Sequence, residues 1–171
     1  QDCNFDFEFI ISNDNSPDKT DKIIQEIINT NPKAKSIKNI RQKVNLGMMP
    51  NFIFALNEAK GKYIALCEGD DFWIDSLKLQ KQVDFLENNN DFVMCFHSVT
   101  VKSEIEGAKY LYPIPKNSVM TFIDILFKHY IPTCSLIFLS DALPKPLPEW
   151  LKNAKMGDIP IELLVAEKGR I

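Results

Sequence analysis

One stretch limits what this chain can become: residues 61–73, GKYIALCEGDDFW. A run without charge, 63–67, follows Gly61 and leads directly into Glu68, Asp70 and Asp71. Such a run suits a strand buried on both faces of a parallel sheet. Open α/β sheets bind ligands at the carboxyl ends of their strands, where these three carboxylates would converge. Carboxylates packed this closely repel one another, and a divalent cation carrying a phosphate ligand is the usual relief. A water-exposed acidic loop would also account for the charges alone. Phe72 and Trp73 argue against that simpler reading, because a fully solvated loop has little use for two large rings.

The rest of the chain supplies the frame. Residues 5–11 (FDFEFII) read as a strand that ends in the turn-forming cluster 12–18, with Asp18 placed to cap the helix that follows. Ile23, Ile24, Ile27 and Ile28 recur at helical spacing, and Asn31-Pro32 closes the unit. Residues 34–40 read as a second strand. Asn45-Leu46-Gly47 leads into a helix over about 49–60, with Pro50 in its first turn and Gly61 as a C′ glycine. After the acidic stretch come a helix over 75–88 and a strand over 92–99, so the order to this point is βαβαβαβ. That rhythm predicts a parallel sheet covered by helices. Beyond residue 100 it breaks: a polar segment over 102–116 contains a short Tyr110-Leu111-Tyr112 strand, a helix spans 121–129 and a strand spans 135–139. Three prolines precede a short helix near Trp150. Gly157-Asp158 then opens a last helix, and Gly169-Arg170-Ile171 turns toward one more strand.

Bulk properties exclude several classes. The chain has 171 residues, 45% of them hydrophobic, enough for one domain with a core. A net charge of −3 without a basic stripe argues against a nucleic-acid polymer as partner. No apolar run reaches bilayer-spanning length. Cys67 and Cys95 sit in strand-like runs, where buried reduced thiols are expected, and the four cysteines show no CxxC spacing. That fits a cytoplasmic location.

Taken together, these motifs resemble the family 2 glycosyltransferases of GT-A fold. Asn13-Asp14-Asn15-Ser16 stands where that family carries a DDGS-like loop, with Asn13 replacing its first acid. Asn45-Leu46-Gly47 matches the N-x-G loop, residues 61–71 match the strand ending in D-x-D-D, and Gly157-Asp158 matches the helix start bearing the base. The resemblance implies an α/β GT-A fold with a mainly parallel central sheet and helices on both faces. The family's opening strand and helix have no counterpart here, so an N-terminally incomplete single domain over 1–171 is expected. Residues 1–100 would form its nucleotide-sugar half and 101–171 its acceptor half.

The same resemblance implies the chemistry: a metal-dependent, inverting transfer from a nucleotide-diphosphate sugar, a UDP-sugar foremost, to a glycan or lipid-linked acceptor. Surface polysaccharide synthesis, at or near the inner face of the membrane, is the family-level expectation. Asp71 would contact Mg²⁺ or Mn²⁺ directly, with Asp70 nearer the ribose and Glu68 outside the immediate site. Asp14 would accept a hydrogen bond from the nucleobase, while Asn45 and Gly47 shape the loop beneath the donor. Asp158 would be the catalytic base, since inverting transfer needs a rigidly held group to take the acceptor's proton. Two rival readings share the carboxylates: a receiver-type phosphoacceptor domain and a nucleotidyltransferase. Receivers have no role for Phe-Trp or the Asp158 helix, and nucleotidyltransferases usually carry a Gly-rich phosphate loop near their start.

Overall fold

The structure, a computed structural model, describes residues 1–102, 109–113, 119–127 and 131–171. It divides into two compact units, each assembled from separated pieces of chain. One comprises Phe5–Gly61 with Pro146–Gly157; the other comprises Gln1–Asn4, Lys62–Lys145 and Asp158–Ile171.

The first unit holds β1 (Phe9–Asn13), α1 (Thr20–Thr30), β2 (Ile37–Arg41) and α2 (Met48–Glu58). β1 and β2 pair in parallel from Phe9 opposite Ile37 to Asn13 opposite Arg41. Both strands start later than the sequence suggests. Ala34 and Ser36 donate their amides back to Asn31 and Lys33 in a 3-10 turn, so β2 offers no partner before Ile37. Asp18 accepts from the Thr20 amide at 3.0 Å and its hydroxyl at 2.6 Å, the expected anchor for the start of α1, and this holds its carboxyl below the usual range. α2 buries Met49, Ile53 and Leu56. It ends at Glu58 with Ala59 extended, and Gly61 does not adopt the left-handed conformation of a C′ glycine. The Lys60 amide instead donates to the Glu8 carboxylate at 2.8 Å. A 3-10 turn, Glu149–Asn153, packs on α2 and buries Leu151 completely.

The second unit holds β3 (Tyr63–Ala65), α3 (Lys78–Asn88), β4 (Met94–Cys95), β5 (Val99–Lys102), β6 (Lys109–Tyr112), α4 (Phe122–Phe127), β7 (Ile137–Leu139) and α5 (Asp158–Ala166). β7 lies between β3 and β4 and runs antiparallel to both, with Ala65 and Cys95 each opposite Ile137. β3 and β4 therefore run the same way, as the βαβ order requires, and the late strand enters between them reversed. This arrangement shortens the strand expected over 63–67. Pairing stops at Ala65 because β7 begins at Ile137, after the 3-10 turn Thr133–Ser135. The strand residues are half-buried, and Cys67 is exposed, contrary to the buried thiol expected there; Cys95 is half-buried. The strand expected over 92–99 splits: Phe92 bridges Arg170, β4 follows, and β5 departs to pair with β6. The Phe92–Arg170 bridge is all that forms of the expected final strand. α3 begins at Lys78 rather than Asp75, because Asp75 receives the amides of Leu77 and Lys78 in a preceding turn. Met94, Leu136, Phe138, Ile161 and Val165 form the fully buried core of this unit. The end of the expected 121–129 helix and much of 102–116 lie outside the described residues.

Candidate active site

In the first unit, β1 delivers the 13–16 loop and α2 begins beside it. The buried Asn13 side chain turns inward, donating to Asp21 at 3.1 Å and accepting from the Ser16 amide at 2.9 Å. Arg41 braces the same loop through Asp21 at 2.6 Å and Asn15 at 3.2 Å. Asn13 is thus a structural brace. Asp14 is engaged differently. Its two carboxylate oxygens accept from the amides of Leu46 at 2.7 Å and Gly47 at 2.9 Å. Asn45 donates to the Asp14 carbonyl at 3.0 Å and accepts from the Gly47 amide at 3.1 Å. Asp14, Asn45 and Gly47, singled out separately from sequence, therefore form one hydrogen-bonded clasp. Gly47, at φ 88° and ψ 159°, makes it possible by holding a backbone conformation that side chains rarely adopt.

In the second unit, β3 ends in a turn closed by the Asp71 amide on the Glu68 carbonyl at 3.2 Å. Glu68, Asp70 and Asp71 are exposed, and one oxygen from each lies within 4.8 Å of the others. Among the described residues no ion pair involves any of the three. Glu68 shows the result: partial burial pushes its carboxyl up, and the charges of Asp158, Asp70 and Asp71 push it further. A hydrogen bond with the Thr133 side chain opposes them. This donor set suits a hard divalent cation, since it is all oxygen, carries uncompensated negative charge and leaves room for water ligands. One Glu68 oxygen lies within 4.8 Å of oxygens of both aspartates.

Asp158 is the first residue of α5 and is half-buried. Both of its oxygens are held: Oδ1 accepts from the Ile159 amide at 2.9 Å and Oδ2 from the Thr133 hydroxyl at 3.3 Å. A carboxylate fixed at both oxygens, with its charge felt by Glu68, is equipped to take a proton in a set orientation.

The aromatic pair divides. Phe72 is 79% exposed, whereas the Trp73 indole donates to the Cys134 carbonyl at 2.8 Å and lies beneath Lys78, whose Nζ is 4.3 Å from the ring centroid. Lys78 is buried, and desolvation holds its ammonium down to about 8. Trp150 remains 54% exposed in the first unit. Sequence reasoning missed Thr133, Lys78, Gln82 and Glu162. Local pattern assigns such polar residues to solvent, whereas Lys78, Gln82 and Glu162 are buried. The one available signal was Glu162 lying four residues, one helical turn, after Asp158.

Residues 1–143 match the model of glycosyl transferase family 2. That match ends before Asp158. Among individual proteins, the chain is 38% identical over 136 residues to Uncharacterized protein Rv1520 of Mycobacterium tuberculosis, covering 78% of this chain and 38% of that one. It is 39% identical over 92 residues to Uncharacterized glycosyltransferase MJ1057 of Methanocaldococcus jannaschii, covering 53% of this chain and 30% of the other. The chain thus spans about 38% of the length of the curated relatives it matches over 136 residues. Among solved structures, S. aureus TarS 1–349 superposes with a TM-score of 0.59 at 17% identity, covering 97% of this chain and 48% of that chain. That likeness concerns the fold alone. Together with the parallel β1–β2 pair and the antiparallel β3–β7–β4 sheet, it identifies the GT-A α/β architecture. The chain belongs to glycosyl transferase family 2.

Proposed function

We propose that this chain carries out metal-dependent, inverting transfer of a sugar from a nucleotide-diphosphate donor, a UDP-sugar foremost, to a hydroxyl of a glycan or lipid-linked acceptor. The observation that carries this reading is the grouping of Glu68, Asp70 and Asp71 with Asp158 in one unit, where the charge of Asp158 acts on Glu68. Asp158 takes the acceptor hydroxyl's proton as that oxygen bonds to the anomeric carbon. The anomeric carbon–oxygen bond breaks on the opposite side, and its electron pair leaves with the diphosphate. Asp71 and Asp70 would hold Mg²⁺ or Mn²⁺, which would supply Lewis acidity to the departing diphosphate. Asp14 accepts from the nucleobase through lone pairs that the Leu46 and Gly47 amides leave available, and Asn45 and Gly47 form the loop beneath the donor.

The physiological setting we favour is surface polysaccharide synthesis, on the cytoplasmic side with peripheral contact to the membrane. No helix among the described residues is long and apolar enough to cross a membrane. A panel of UDP-, GDP- and dTDP-sugars, each with Mn²⁺ or Mg²⁺, tests the reaction by release of free nucleoside diphosphate. Turnover should require the metal and vanish on chelation. Asp158→Asn should abolish transfer while UDP binding, measured by calorimetry with Mn²⁺, stays near wild type. Metal-independent turnover, or an active D158N, would refute the corresponding part of the reading.

A further inference from the structure

We propose that Thr133 is the positioning residue for Asp158, its hydroxyl fixing the orientation in which that carboxylate meets the acceptor. This rests on the reading of Asp158 as the base. The hydroxyl lies 3.3 Å from Asp158 Oδ2 and also faces Glu68, so its one proton is shared between two carboxylates, while the Ile159 amide donates to Asp158 Oδ1 at 2.9 Å. The two contacts define the carboxylate plane. The Thr133 contact comes from outside α5 and ties the side chain's direction to the rest of the unit. At 3.3 Å the bond is long, as catalytic hydrogen bonds often are before substrate arrives.

The turn carrying Thr133 is held far more firmly than a connecting loop requires. Within it, the Ser135 amide and hydroxyl both donate to the Pro132 carbonyl, at 2.9 and 2.6 Å, and the Leu136 amide donates to the Thr133 carbonyl at 3.2 Å. Two side chains from other elements then grip successive carbonyls. The Trp73 indole takes that of Cys134, and the Gln82 amide takes that of Ser135, each at 2.8 Å. Ser135 and Leu136 are fully buried. Thr133 is β-branched, which restricts its χ1 and aims the hydroxyl from this fixed backbone. Trp73 directly follows the acidic loop, so the turn that orients Asp158 is tied to the segment bearing Asp70 and Asp71.

Thr133→Val keeps the shape and removes the hydroxyl, whereas Thr133→Ser keeps the hydroxyl. The full chain is assayed with a donor turned over in the nucleotide-sugar panel, and both variants are also crystallised without ligand. T133V should lower kcat about 10- to 100-fold, the scale of a misplaced reacting group, with donor KM within about twofold of wild type. T133S should recover kcat to within about threefold. The crystal structures should show the Asp158 carboxylate displaced in T133V and retained in T133S. The proposal is overturned if T133V keeps full kcat, if T133S is as impaired as T133V, or if donor KM rises while kcat stays unchanged. An undisplaced Asp158 in T133V overturns it even without a donor in hand. A fully active D158N would instead remove Asp158 as the base, a different failure that the same assays separate.

Discussion

Both oxygens of the Asp14 carboxylate hold the backbone of the 45–47 loop, and that loop exists only because Gly47 accepts a φ of 88°. The space around Gly47 is open, with nothing within 4 Å of an added Cβ, so a substitution there is opposed by the backbone alone. Gly47→Ala should therefore cost about 1–3 kcal/mol of local strain. It should also draw the Gly47 amide away from Asp14 and weaken donor binding. Gly69 is the matched control, having equally open surroundings and no left-handed φ, so Gly69→Ala should leave thermal stability near wild type. Melting curves of the two variants, with UDP–Mn²⁺ calorimetry for G47A, check this; equal stability would contradict it. Asp14, Asn45 and Gly47 were each picked out by the family resemblance of their motifs. Their joining into one clasp was not, since Asp14 and Gly47 are far apart in sequence and meet only through the fold.

Helices show where periodicity misleads. Leu79, Val83 and Leu86 recur along α3 at helical spacing, but its buried residues are Lys78, Leu79, Gln82 and Leu86. Hydropathy assigns lysine and glutamine to solvent. Here Lys78 lies over the Trp73 ring, and Gln82 donates to the carbonyls of Cys95 and Ser135, partners supplied by distant chain. α5 repeats the lesson with Glu162, which is completely buried beside Ile161 and Val165. Desolvation, assisted by the charge of Asp158, pushes the Glu162 carboxyl up to about 8. The folded state then holds a proton that the unfolded chain gives up near the ordinary 4.5. Its contribution to stability is fully present below that value and is lost as pH rises toward 8, at no more than about 1.4 kcal/mol per pH unit. Glu162→Gln cannot ionise and should not show this loss. Thermal denaturation at pH 5, 6.5 and 8 should find wild type losing ground to E162Q at each step. Parallel profiles would contradict the buried, proton-holding carboxyl.

At the scale of the whole molecule, the order of motifs predicted the α/β class, while the chain's path through its two units was not legible. Each unit is discontinuous: Pro146–Gly157 belongs with Phe5–Gly61, and Asp158–Ile171 belongs with Lys62–Lys145. Local pattern identifies a strand or helix but not the distant segment that completes its core, so β7 read as a late strand without any sign that it parts β3 from β4. The family match over 1–143 would suggest that those residues suffice for the fold. The cores argue otherwise. Leu151, fully buried against α2, completes the first unit; Ile161, Val165 and Ile171 are buried in the second, where Ile171 also exchanges backbone hydrogen bonds with Met120 at 2.7 and 3.0 Å. A chain ending at residue 143 would lose all four side chains, each worth about 1.5–3 kcal/mol on burial, from a molecule whose net stability is only about 5–15 kcal/mol. Such a fragment should show no cooperative thermal transition by calorimetry and poorly dispersed amide resonances. A cooperative transition matching that of the 171-residue chain would mean that the last two segments dock onto cores already complete without them.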